Sequence, residues 1–145
     1  MTSPDAGPAV VSWLGGVRFE AAVRGHRLVI DQPREEGGTD EGITPVECLA
    51  VSVGTCVAFF VVRFCERHRL TPRGVHVAVG WEYAEQPHRV GALRIAVEYD
   101  GDLDPALRER LLKVAEGCTV HQTLAHPPEI RVLLTTTEGA HEPIV

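Results

Sequence analysis

From Cys48 to Val62 the chain runs for fifteen residues without a charge, CLAVSVGTCVAFFVV. If these residues form a helix, apolar groups lie all round the cylinder instead of along one stripe, and such a helix is expected to be buried on every side. The flanks agree with a helix. Thr44 can cap its start, Pro45 suits the first helical position, and Glu47 three residues after the cap completes a capping box. The apolar run is shorter than the ~20 residues that a bilayer demands, and it leads into Arg63, Glu66, Arg67, His68 and Arg69. The stretch Thr44 to Arg69 therefore predicts the central helix of a core, with Cys56 near its middle, framed by Gly54, Thr55 and Ala58.

The remaining sequence supplies what would surround that helix. Val10 to Leu14, Val17 to Val23 and Arg27 to Ile30 are short apolar runs separated by Gly15-Gly16 and Arg24-Gly25-His26, the signature of a three-stranded antiparallel meander. In the middle run Val17, Phe19 and Ala21 are expected to face inward. Asp31 to Ile43 is a polar, Gly-rich loop. Beyond the helix, Val75 to Tyr83 and Arg89 to Tyr99 pair as a hairpin, with Val75, Val77, Val79 and Trp81 on one side. Asp104 and Pro105 open a second helix that ends near Gly117. Thr119 to Ala125 reads as a short helix and Glu129 to Thr137 as a last strand. Strands grouped around two principal helices indicate an α+β fold. Six short strands cover little more than one side of the apolar helix, so an intertwined homodimer is expected.

At 145 residues the chain is expected to be one domain, 1–145, with Met1 to Pro8 loose. The formal net charge of -6, without a Lys/Arg cluster, argues against nucleic acid as a partner. No basic and apolar leader opens the sequence, so a cytoplasmic protein without membrane association is expected, and its four cysteines are expected to be thiols.

A cysteine inside an apolar helix is ordinarily a small hydrophobe. That reading suits Cys65, on roughly the opposite face of the helix from Cys56, and Cys48, about 80° round and two turns lower. Cys118, just past a helix end, lies on a connection that could fold back over the core. Cys118, His121 and His126 are spaced loosely like zinc ligands, but no fourth ligand is apparent, and neither a metal nor a cofactor is expected. No nucleophile elbow, phosphate-binding glycine loop or H-E-x-x-H motif occurs.

Two segments carry a resemblance. Gly42-Ile43-Thr44-Pro45-Val46-Glu47-Cys48-Leu49 leads into Val53-Gly54-Thr55-Cys56, and Gly101-Asp102-Leu103-Asp104 precedes Ala115-Glu116-Gly117-Cys118-Thr119-Val120-His121-Gln122-Thr123-Leu124. In these residues, and in their order from about Arg27 to Leu133, the sequence resembles the family of osmotically inducible protein C and the organic hydroperoxide resistance proteins. The resemblance implies an α+β fold of intertwined dimers with active sites at the subunit interface. It also implies catalytic roles for Cys56, which would attack an organic hydroperoxide, and for Cys118, which would close a disulfide onto the sulfenic acid. A thiol or lipoyl-type reductant would regenerate the pair.

The peroxidase branches of that family place a glutamate directly after the helix-opening proline, paired with an arginine near the reactive thiol. Val46 stands there in this chain, and Glu47, one residue on, points about 100° away and is assigned to capping. This pattern resembles the general branch of the family. Arg34, Arg18 and Arg27 remain candidates for the assisting arginine. Two functions are therefore carried forward: a thiol-dependent peroxidase, and a non-peroxidatic relative that binds a small apolar or thiol-bearing ligand in the interface pocket.

Overall fold

The computed structural model describes residues 7–136 and the backbone of residues 141–144. All but Gly7 and Pro8 of the segment expected to be loose, and Thr137 of the expected last strand, lie outside the described residues. The chain runs β1 (Val10–Gly15), β2 (Arg18–Val23), β3 (His26–Ile30), a 3-10 turn (Arg34–Glu36), α1 (Pro45–Arg67), β4 (Gly74–Ala84), β5 (Arg89–Asp100), α2 (Pro105–Glu116), α3 (Thr119–Ala125), β6 (Val132–Thr135) and β7 (His141–Ile144). The architecture is mixed α/β with antiparallel strands throughout the three sheets, β1-β2-β3, β4-β5 and β6-β7.

Helix α1 starts as its sequence dictates. The Thr44 N–H donates to Glu47 Oε2 at 2.7 Å and the Glu47 N–H donates to Thr44 Oγ1 at 3.2 Å, so both bonds of the capping box form. The helix is 23 residues long and, with a mean hydropathy of 2.1 over its most apolar stretch, long and apolar enough to cross a membrane by length and composition. That corrects the expectation of a segment too short for a bilayer. Its packing is nevertheless that of a core helix. Ala50, Val53, Gly54, Val57, Val61, Phe64 and Cys65 are buried, and the neighbours of α1 are β4, β5, α2 and α3. Val57, Val61, Phe64 and Cys65 recur at helical spacing and meet Leu111, Ala115 and Cys118. Each fully buried valine among them contributes about 1.5–3 kcal/mol through removal from water.

Strands β4 and β5 form the floor beneath α1. Val77 faces Val97, Val79 faces Ile95 and Trp81 faces Leu93 across the ladder, with the inward residues alternating against exposed ones. Helix and sheet approach closely at Gly54, where an added Cβ would stand 2.9 Å from Val79 Cγ2.

Burial of α1 on every side does not hold within one chain. Val51, Phe59 and Val62 are exposed, Phe59 at 58%. The meander shows the same deficit. Arg24 (φ 50°) and Gly25 (φ 83°) make the positive-φ turn that a tight β2–β3 hairpin requires. Yet Val17 and Phe19, expected to face inward, are exposed, as are Val11 and Trp13. The physical reason is that, among the described residues, the meander packs chiefly on itself with no apolar layer beneath it. The last strand is shorter than Glu129 to Thr137 and pairs with β7, which periodicity did not suggest.

Candidate functional site

Cys56 and Cys118 come together where α1, α2 and α3 meet. Cys56 lies one turn before Phe60 on the flank of the buried α1 stripe and is partly exposed. Cys118 extends the inner stripe of α2 (Leu111, Ala115) past the helix end and has 0% of its surface exposed. Cys118, expected on a connection able to fold back over the core, lies at the junction of two helices. Gly117 ends α2, and Cys118 directly becomes the N-cap of α3, its Sγ receiving the His121 backbone N–H at 3.4 Å.

Burial pushes the Cys118 thiol above its ordinary value. The His121 N–H opposes that rise, and the Cys56 side chain beside it adds to it by hydrogen bonding and charge. The two sulfurs are thus neighbours, and all four cysteines are free thiols. Cys65, buried in the core, and Cys48, beside the negative charge of Glu47, are pushed up chiefly by desolvation. A cysteine enclosed within a helix packs as a small hydrophobe, which fits these two.

The candidate arginines are dispersed. Arg18 on β2 pairs with Glu41, and Arg27 on β3 pairs with Glu20. Arg34 sits in the 3-10 turn of the loop before α1. Among the described residues no group of three or more His, Cys, Asp or Glu side chains could hold a metal ion, so Cys118, His121 and His126 do not form such a cluster.

Two features escaped the sequence reading. One is an open pocket of about 520 Å³ between α1 and β4, lined by Ile43, Glu47, Ala50, Thr55, Val79 and Trp81 among others. Only the alternation of β4 against the wheel of α1 could have suggested it. The other is Asp31, a buried carboxylate at the root of the polar loop. Its position immediately after an apolar strand was the available signal.

The model of the OsmC-like protein family matches residues 38–132, a span that holds both Cys56 and Cys118. No curated protein sequence matches the chain. Among solved structures, a protein from Psychrobacter arcticus 273-4, named for osmotic stress induction and a detoxification response, superposes with a TM-score of 0.75 at 21% identity, over 85% of this chain and 91% of that one. An OsmC-like protein from Mycoplasma pneumoniae gives 0.71 at 14% identity, over 88% and 91%. An organic hydroperoxide resistance protein OsmC from Legionella pneumophila gives 0.59 at 18% identity, over 81% and 89%. At these identities the likeness is one of fold.

Proposed function

The chain belongs to the OsmC-like protein family, and from that membership we propose that it is a thiol-dependent peroxidase acting on organic hydroperoxides. The observation that carries the reading is the pairing of Cys56 with Cys118, two thiols from separate elements that the fold sets side by side. The Cys56 thiolate attacks the distal peroxide oxygen, the O–O bond breaks, and an alcohol leaves as Cys56 becomes a sulfenic acid. The Cys118 sulfur then attacks Cys56 Sγ, water leaves, and a disulfide joins them. A thiol or lipoyl-type reductant returns both sulfurs to thiols. A disulfide between them requires Cα atoms within about 7 Å of each other. Apolar surroundings favour organic peroxides over hydrogen peroxide.

The working unit of this proposal is a homodimer in the cytoplasm, acting without nucleic acid or membrane. Exposed apolar groups on α1, on the meander and on β6 support an assembly in which a second copy covers them. Within one chain Arg18 pairs with Glu41 and Arg27 with Glu20, and an arginine of the second copy is the candidate to approach Cys56.

A second reading, binding of a small apolar or thiol-bearing ligand without peroxidase chemistry, is favoured by one observation. Val46 occupies the position after Pro45, and Glu47 is committed to its capping bonds. Peptide-mapping mass spectrometry after cumene hydroperoxide separates the two. Wild type is expected to show a Cys56–Cys118 linkage, Cys118→Ser to accumulate sulfenic or sulfinic acid at Cys56, and Cys56→Ser to stay unreacted. A wild type that remains fully reduced under peroxide excess selects the binding reading.

A further inference from the structure

We propose that the oxidised pair is reduced from one side only: an incoming dithiol attacks Cys56 Sγ, and Cys118 is always the sulfur expelled. The inference rests on the disulfide cycle proposed above and adds its direction. Thiol–disulfide exchange is an in-line displacement, so the entering thiolate needs an open path to the back of the sulfur it attacks. Cys118 offers none. It has no exposed surface, is packed within the cluster of Val57, Leu111 and Ala115, and accepts the His121 backbone N–H from the first turn of α3. Cys56 retains exposed surface on the flank of α1. Association with a second copy can bury more of either residue but cannot uncover Cys118.

The departing sulfur also has a prepared place. The His121 backbone N–H already points at Cys118 Sγ in the thiol form, and the same donor receives the negative charge when Cys118 leaves as a thiolate. Burial works against that thiolate, so Cys118 is not an unusually good leaving group. Access decides instead. A leaving group's basicity changes an exchange rate gradually, whereas a sulfur without a path is not attacked.

The first thiolate of the dithiol bonds to Cys56 Sγ, the Cys56–Cys118 bond breaks, and its electron pair leaves on Cys118, which takes up a proton. The second thiol of the reductant, as a thiolate, attacks its own partner sulfur in the mixed disulfide. That closes the reductant's disulfide and releases Cys56 as a thiolate, which is protonated in turn. Two electrons and two protons pass from dithiol to protein.

The test bypasses peroxide. The protein is oxidised with diamide, pulsed briefly with 2-mercaptoethanol, quenched in acid, denatured and alkylated with N-ethylmaleimide, and each cysteine is then identified by fragment-ion mass spectrometry. The expected product carries mercaptoethanol on Cys56 and N-ethylmaleimide on Cys118, in about tenfold or greater excess over the reverse. Mercaptoethanol on Cys118, equal labelling of the two, or failure of diamide to join them overturns the inference. Inertness towards cumene hydroperoxide alongside the expected labelling would instead strike the peroxidase reading and leave this direction standing.

Discussion

Asp31 accepts four hydrogen bonds into a carboxylate that the fold has taken out of water. The Thr39 hydroxyl donates at 2.7 Å, and the backbone N–H groups of Gln32, Thr39 and Glu41 donate at 2.8, 3.1 and 3.1 Å. The Thr39 hydroxyl, first, and these backbone donors hold its pKa well below the usual carboxylate range, against the opposing effect of burial. A folded-state pKa below the unfolded one gives stability that is present above the unfolded value and is lost as pH falls through and below it. Asp31 therefore makes the loop between β3 and α1 acid-labile, the loop that also carries Arg34 and delivers Thr44 to its capping position. Asp31→Asn is expected to lower the melting temperature by several degrees at pH 7, because one acceptor oxygen becomes a donor facing N–H groups. The gap from wild type should narrow between about pH 5 and pH 2, as the native carboxylate loses its advantage. Thermal melts of both proteins across that range check it, and a gap that stays constant with pH would show that the charge of Asp31 is immaterial.

At the scale of elements, α1 was the most legible part of the chain and its surroundings the least. Thr44, Pro45 and Glu47 fix its start through bonds within one turn, so the signal is local and survives without tertiary information. The same holds for α3, expected and found over Thr119–Ala125. The depth of Cys118 could not be read, because it depends on how α2 and α3 together lie against α1, and no spacing near residue 118 encodes that. The strand at His141–Ile144 was missed for a related reason: its polar, Pro-containing sequence becomes a strand by pairing with β6. Two substitutions test the element-level account. Thr44→Ala removes the hydroxyl end of the capping box and is expected to cost about 1 kcal/mol. Gly54→Ala sets a helix-propensity gain of about 1 kcal/mol against a methyl placed 2.9 Å from Val79 Cγ2. Overpacking of a β-branched neighbour costs about 1–3 kcal/mol, so a net loss of up to about 2 kcal/mol is expected from Gly54→Ala in denaturant titrations. A gain in stability would mean that α1 and β4 can separate freely, and that the close approach is not what positions Cys56.

The whole molecule carries an apolar excess that one chain does not absorb. Phe59 on α1 is 58% exposed, Trp13 on β1 is 70% exposed and Leu133 on β6 is 71% exposed, and among the described residues the three sheets remain separate. Scattered apolar residues are normal on protein surfaces, but here they belong to elements whose other groups already pack on themselves or on α1. Self-association by a twofold interface uses every exposed patch twice, so covering a single phenylalanine gains about 1.5–3 kcal/mol on each side of the axis. The expected assembly is an obligate homodimer, in which the exposed face of α1 meets a second copy and the meander finds the apolar layer it lacks. Size-exclusion chromatography with light scattering should give about twice the chain mass of 15.8 kDa at micromolar concentration. Phe59→Asp places a charge on the exposed flank of α1, one turn from the partly buried Cys56. It should shift the population towards monomer or aggregate, with peroxide-driven disulfide formation falling in parallel, because the proposed working unit is the dimer. A wild type that is monomeric and well folded at those concentrations would overturn the dimer. The exposed residues of α1 would then form the mouth of a site contained in one chain.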